Sequence, residues 1–212
     1  MKKNIFTLIA IISIFSACTK EKGAPGGSGD YQPLTANSTW SYRNESLIEE
    51  GMPTEVDTTI NTMTATTKVF DGKTFHLLHS VTAGINEDSY LGYNNHIYTA
   101  RNLEEDGIVI YDYLDETKAA GFSEIMPFSG LDKDAQIKTS VVEKDINKTI
   151  LGKAYSNVIH TRLETQIKET DEFKTVSTID FYIAKNIGVI ATYTDFDGTQ
   201  ISKTEMISAD IK

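Results

Sequence analysis

Four histidines, His76, His79, His96 and His160, are the side chains best suited to proton transfer or metal binding. Their spacing argues against a shared centre. His76 and His79 are three apart in a stretch that alternates like a strand, so they point to opposite faces. His160 sits on the polar side of its own alternating run. Acidic residues cluster at Glu49-Glu50, Glu104-Glu105-Asp106, Asp115-Glu116 and Asp195 with Asp197. Two carboxylates across a cleft can hydrolyse a glycosidic bond, but these lie beside turn signals, where solvated charge is the ordinary role. Asp195-Phe196-Asp197-Gly198 begins like a calcium loop and lacks the further oxygens and the closing Glu. No G-x-S-x-G elbow, S-x-x-K, H-E-x-x-H or phosphate loop occurs. The single cysteine, Cys18, excludes an intramolecular disulfide and a Cys-rich zinc site. The expectation is a non-enzyme with no catalytic residues, no metal and no cofactor.

Aromatic residues are the better candidates for contact with a ligand. Tyr90, Tyr93, Tyr98, Tyr111 and Tyr113 crowd into one short stretch. Ile108–Leu114 is bulky on both faces, as expected of a strand covered by core on one side and by a ligand, lid or partner on the other. Trp40 and Tyr42, two apart, share one face of the first strand. They serve either as core that seals a barrel or, with Tyr111 and Tyr113, as a ligand platform.

The chain that must position these residues has 212 residues, 40% hydrophobic and 24% charged. That is one domain's worth of globular protein. It carries 20 basic and 30 acidic residues, for a net charge of −10. Nucleic acid is excluded as a partner, because phosphate neutralisation needs clustered Lys and Arg. There are 26 Thr and 24 Ile against four Pro, a β-branched density that favours strands.

Residues 1–17, MKKNIFTLIAIISIFSA, have the positive start, apolar middle and small-residue end of a secretory signal peptide, and are too short for a stable membrane span. Phe15-Ser16-Ala17-Cys18 resembles the lipobox of bacterial lipoproteins, with Phe15 where Leu is commoner. The resemblance implies cleavage before Cys18 and acylation of its thiol and new amine by palmitate-type chains. Two or more chains anchor stably where one is marginal. Residues 18–30 continue as a Gly-rich tether with little to bury. Loss of 1–17 removes two lysines and no acid, which takes the net charge to −12. The implied location is the bacterial cell envelope, lipid-anchored at the outer membrane, with the periplasmic or surface face left open.

From Tyr31 on, period-two alternation dominates, so residues 31–212 are expected to form one antiparallel β domain. Asp71-Gly72, Asn94-Asn95, Asp106-Gly107 and Asp197-Gly198 mark turns. The strands fall at about 38–48, 54–70, 73–83, 88–93, 96–101, 107–115, 135–146, 154–168, 172–184, 187–196 and 199–210. That is about eleven strands in a meander, folded as one curved antiparallel sheet or open barrel. Residues 116–133 break the pattern and are expected as one short helix that serves as a lid or as a barrel plug.

Tyr31-Gln32-Pro33-Leu34 with Asn37-Ser38-Thr39-Trp40-Ser41-Tyr42 resembles the Y-x-P-L-x-x-G-x-x-W-x-Y opening of a family of secreted or lipid-anchored Bacteroidetes proteins. Here Asn37 stands in place of glycine. Gly152–Ile159 resembles a strand entry common in that family, and Tyr182-Ile183-Ala184-Lys185-Asn186-Ile187-Gly188-Val189-Ile190 resembles its closing strand pair. The resemblance implies an open β-barrel similar in outline to lipoprotein carriers of the LolA/LolB type, and no known reaction. The expected role is non-catalytic binding of an apolar or glycan ligand, or of an envelope protein partner. The alternatives are a structural or interaction module without a small-molecule site and, last, an envelope hydrolase.

Overall fold

The computed structural model describes residues 31–47, 55–104, 107–123, 125–127 and 133–212. The expected signal peptide and the tether that begins at Cys18 lie outside the described residues. So does Asp106 of the turn expected at Asp106-Gly107. Thirteen strands follow in order: β1 (Thr39–Ser46), β2 (Glu55–Phe70), β3 (Lys73–Thr82), β4 (Ile85–Asn94), β5 (Ile97–Glu104), β6 (Gly107–Asp115), β7 (Ala120–Phe122), β8 (Met126–Pro127), β9 (Asp134–Ile150), β10 (Lys153–Glu169), β11 (Glu172–Ala184), β12 (Gly188–Phe196) and β13 (Thr199–Asp210).

These strands form one antiparallel sheet in the order β6-β5-β4-β3-β2-β1-β13-β12-β11-β10-β9-β7, with β8 also on β9. The first strand pairs with the last, from Thr39 opposite Asp210 to Ser46 opposite Ser202. That pairing joins two meanders into a single curved sheet. Several tight reversals rest on residues that tolerate left-handed backbone. Asp71 and Gly72 have φ of 52° and 75°, Asp197 and Gly198 have 48° and 78°, the sign that two-residue hairpins need. The expected Asn94-Asn95 turn lies one residue later, with Asn95 and His96 in the left-handed region. Asn37 lies in the left-handed region at φ 66°.

The sheet curls until β6 meets β9 and β10, so the barrel is nearly closed. Its seam is not a backbone ladder. The Thr161 hydroxyl donates to the Tyr113 carbonyl at 2.8 Å and the Thr139 hydroxyl to the Asp112 carbonyl at 2.6 Å. Lys144 Nζ donates to the Glu116 carbonyl at 3.2 Å.

The helix expected within 116–133 is not there. Among the described residues no helix occurs, and the described part of this stretch adds β7 and β8 to the edge of β9. Val141 N–H donates to the Ala119 carbonyl at 2.9 Å, Ser123 N–H to the Ile137 carbonyl at 2.8 Å, and Ile137 N–H to Ser123 Oγ at 2.9 Å. An edge strand carries a row of unpaired backbone groups. Satisfying these outweighs the weak helix propensity of a segment broken by Gly121 and Pro127. In its described part the segment covers an edge of β9.

Trp40, Tyr42, Tyr98, Tyr113, Phe181, Met63, Leu78, Leu91, Leu114, Ile150 and Ile183 are the largest fully buried side chains of the interior. Residues 34–38 and Lys212 close this part of the barrel. Leu34 packs into it, Asn37 N–H bonds the Met63 carbonyl at 2.8 Å, and Lys212 N–H bonds Ser38 Oγ at 3.1 Å. Trp40 is 1% exposed, so its fluorescence should be blue-shifted and move to the red on unfolding. Trp40→Ala should destabilise the domain by about 3–5 kcal/mol, measured by denaturant titration. A water-like emission with a wild-type melt would place the indole outside the core.

Candidate functional site

The barrel interior has two chemically distinct parts. The first is aromatic and closed. Tyr93, Tyr98, Tyr113 and Phe181 run across it with ring centroids 4.8, 6.1 and 6.1 Å apart in turn. Tyr42 crosses from β1 to donate its hydroxyl to the Val189 carbonyl at 3.3 Å, and burial pushes its pKa well up. The N-terminal segment and the loop after β6 meet at Tyr98, whose hydroxyl accepts from Tyr31 N–H at 3.1 Å and donates to Glu116 at 3.0 Å. Burial likewise raises the Tyr98 pKa. Gly188, at φ 99°, opens β12 opposite Ala184 and lets the chain reverse tightly beneath these rings.

The second part is lined with hydroxyls and amides. Thr204 donates to Asn44 Oδ1 at 2.9 Å, Asn44 Nδ2 donates to Thr59 Oγ1 at 2.7 Å, and Thr59 and Thr82 share a hydroxyl contact of 2.6 Å. This chain of bonds crosses β13, β1, β2 and β3. Around it, on the same inward face, lie Asn61, Ser80, Ser89, Thr192 and Thr194. Asn61 pairs in register with Ser80, Thr192 with Thr204, and Thr194 with Ser202. Ser89 alternates with the core residue Leu91 on β4. All five are buried, and the side-chain polar atoms of each, including both Nδ2 and Oδ1 of Asn61, find no protein partner. A buried polar group left so costs about 1–3 kcal/mol. On β10 and β11 the inward face beside Thr194 turns aliphatic, with Leu163 and Ile179 buried.

The residues expected to touch a ligand fall in the closed part. Trp40, Tyr42 and Tyr113 are buried there at 1% exposure or less, with Tyr42 and Tyr113 flanking its centre. Tyr111 lies on β6 in register with Ala100, and its side chain is outside the described residues, as is Cys18. The structure thus groups the aromatics and sets the hydroxyl belt directly beside them, Asn61 in register with Trp40, Thr59 with Tyr42 and Thr192 with Phe181. Asn61, Ser80, Ser89, Thr192 and Thr194 were not expected from sequence. The signal was present as polar residues on strand positions where alternation calls for apolar ones.

His79, His96 and His160 lie on the outer side, while His76 pairs in register with the core residue Leu91 and burial lowers its pKa. His79 Nδ1 meets Asp88 at 2.7 Å, and His96 Nδ1 meets Glu116 at 3.0 Å. His160 is buried on the outer wall, its Nε2 2.7 Å from Asp180 and its Nδ1 3.3 Å from Glu143, with its ring stacked on Tyr182 at 4.4 Å. Arg162 forks onto the same Asp180 with two bonds of 2.8 Å. Lys148 Nζ sits 3.7 Å above the Tyr182 ring. A second outer cluster holds Phe70, Phe75, Tyr90 and Arg101, the guanidinium 3.9 Å from the Phe70 centroid. There Phe75 occupies the space above Gly92, where a Cβ would lie 2.8 Å from its ring. Ion pairs and ring contacts use these groups to hold neighbouring strands together.

No family model matches this chain, and no curated protein matches it. Solved structures do. One is a protein of Bacteroides fragilis, provisionally named an exported protein with a YmcC-like fold, at 8% identity and a TM-score of 0.48, with 86% of this chain and 100% of that chain covered. Another is a provisionally named lipoprotein of Parabacteroides distasonis, at 9% identity and a TM-score of 0.46, with 87% of this chain and 100% of that chain covered.

Asp180 supplies a pH test of the outer wall. Burial alone raises its pKa, but the hydrogen bonds from His160 and Arg162 outweigh burial and hold the carboxyl below its ordinary value. A depressed carboxylate stabilises the fold fully above its unfolded pKa of about 4, and that stability is lost as pH falls through the folded value. Thermal melts from neutral pH down should therefore show a steep loss below about pH 4. Asp180→Asn should lower stability at neutral pH and flatten that acid limb. A variant with the wild-type pH profile would remove Asp180 from the acid transition.

Proposed function

We propose that this chain is a lipid-anchored protein of the bacterial envelope, held at the outer membrane through Cys18, that binds an apolar or glycan ligand inside its barrel without catalysis. The supporting observation is the belt of buried polar atoms at Asn61, Ser80, Ser89, Thr192 and Thr194 that the protein itself leaves unpartnered. Natural interiors satisfy nearly all such groups, so these five exceptions on the inward face support a ligand that supplies the bonds. A non-catalytic role fits the use of His160, whose two ring nitrogens both face carboxylates. Tyr31, where the tether joins the domain, bonds Tyr98 at the closed part of the barrel. The carrier-like outline of the LolA/LolB type agrees with a curved sheet around an interior site.

A structural or interaction module is the second reading, favoured by the packed aromatic part alone, where the interior is filled by the protein's own side chains.

Two linked measurements test the proposal. Cys18→Ala should release the protein from membranes or leave it unprocessed. A processed, mature-sized chain that stays with the membrane overturns the anchor. The chain extracted gently from its own envelope should melt higher than the same chain unfolded, dialysed and refolded, because a ligand bound only to the native state stabilises it. Identical melts overturn the binding role.

A further inference from the structure

We propose that the end of the barrel where β1 begins docks on an anionic lipid surface, with the tips of two hairpins at the level of the headgroups. The inference rests on the lipid anchor proposed above and adds the face that the domain turns to the bilayer. Antiparallel strands joined in sequence reverse at alternate ends. The β2–β3, β4–β5, β9–β10 and β11–β12 reversals fall at the end where β1 begins, and the β3–β4, β10–β11 and β12–β13 reversals fall at the other. Charge divides between these reversals. With each turn taken together with three strand residues on either side, the first end carries Lys68, Lys73, Lys148, Lys153 and Lys185 against Asp71. The second carries Glu87, Glu169, Asp171, Glu172, Asp195 and Asp197 against Lys168 and Lys174. At the first end Asp71 lies 3.6 Å from Arg101, Asp115 meets Lys118 at 3.7 Å, Glu116 meets His96 at 3.0 Å, and Asp210 pairs with Lys212.

Two hairpins at this end carry apolar residues at their tips. β2 runs eight residues past Thr62, which pairs with the first residue of β1, and β10 starts five residues before Val158, its first pair with β11. Val69 is 64% exposed between Lys68 and Lys73, and Leu151 is 50% exposed between Lys148 and Lys153. An apolar side chain flanked by lysines suits the headgroup layer, where the apolar body enters the acyl boundary and the ammonium groups stay with the phosphates. Lys68, Lys148 and Lys153 rest over aromatic rings, which orders their ammonium groups without neutralising them. The chain's net charge of −10 is repelled by an anionic surface, and with acid gathered at the far end that repulsion orients the domain. Tyr31 bonds Tyr98 beside the β4–β5 reversal, at this same end. The thirteen residues from Cys18 to Tyr31 span at most about 45 Å, so the proposed anchor keeps these hairpins within reach of the bilayer. That proximity favours lipid over an acidic protein as the occupant.

The test is hydroxyl-radical footprinting of the acylated mature chain, purified from its host, on two sets of vesicles. One set is phosphatidylcholine alone, and the other is phosphatidylcholine with an equal part of phosphatidylglycerol. Oxidation of Val69 and Leu151, normalised to the exposed Ile85 at the opposite end, should fall about tenfold on the anionic vesicles. The difference should vanish in 1 M salt, where the Debye length is about 3 Å. Lys68→Gln with Lys73→Gln and Lys153→Gln should raise oxidation to the level seen on neutral vesicles, while the chain stays attached and keeps its melt. Lys168→Gln with Lys174→Gln, at the far end, should protect the tips as wild type does. Tips oxidised alike on both vesicles by an attached chain overturn the docking and leave the anchor standing. A chain that attaches to neither vesicle overturns the anchor and the docking with it. Protection found in the native envelope but absent on both purified lipids assigns this end to an acidic protein and overturns the lipid surface.

Discussion

A sheet that begins at β6 and ends at β9 has two edges, and the rest of the molecule depends on how those edges meet. A regular ladder would require their backbones to run in register. Here three side chains, Thr139, Lys144 and Thr161, donate to carbonyls of β6 and of the loop after it. Thr161 belongs to the inward face and is fully buried, so its hydroxyl joins seam and core at one point. The outer edge of β9 remains open beyond this contact, and the short strands β7 and β8 cover it. Edges closed in these two ways give the curved sheet a single enclosed interior without a complete ring of ladders.

Enclosure then divides that interior. Tilted strands place Trp40, Tyr42, Tyr98 and Tyr113 together, where residues 34–38 and Lys212 cap them and large rings fill the space. The hydroxyl belt adjoins these rings, Asn61 in register with Trp40 and Thr192 with Phe181. Its bonded members, Thr204, Asn44, Thr59 and Thr82, satisfy one another across four strands, while Asn61, Ser80, Ser89, Thr192 and Thr194 do not. Aliphatic residues of the same size would pack at these positions with no unpaired atoms. Keeping polar ones lowers stability, which is the ordinary signature of a site retained for function.

The outer wall compensates with ordered charge. Asp180 draws in His160 and Arg162, and Tyr182 and Lys148 stack over the same patch. Phe70, Phe75 and Arg101 do similar work over β2 to β5. Both clusters bridge adjacent strands on the solvent side, so the interior can remain imperfectly satisfied without the sheet loosening around it.

Local chemistry in the sequence was enough for most of the fold. Period-two alternation located β6, β11 and β13 to the residue, Asp71-Gly72 and Asp197-Gly198 located two hairpins, and Asn37 stood in for a left-handed glycine. Such features act between near neighbours, so they are written in consecutive residues. The alternation also put Trp40 and Tyr42 on one face. What it did not contain was the partner across the barrel. The pairing of β1 with β13 joins residues some 170 apart, from Thr39 to Asp210. The strands of 116–133 depend on the open edge of β9 and override local propensity. The hydroxyl belt is assembled from six strands, and no one of them marks it. Only the curl of the sheet, which turns that face away from water, makes its unpaired atoms a site.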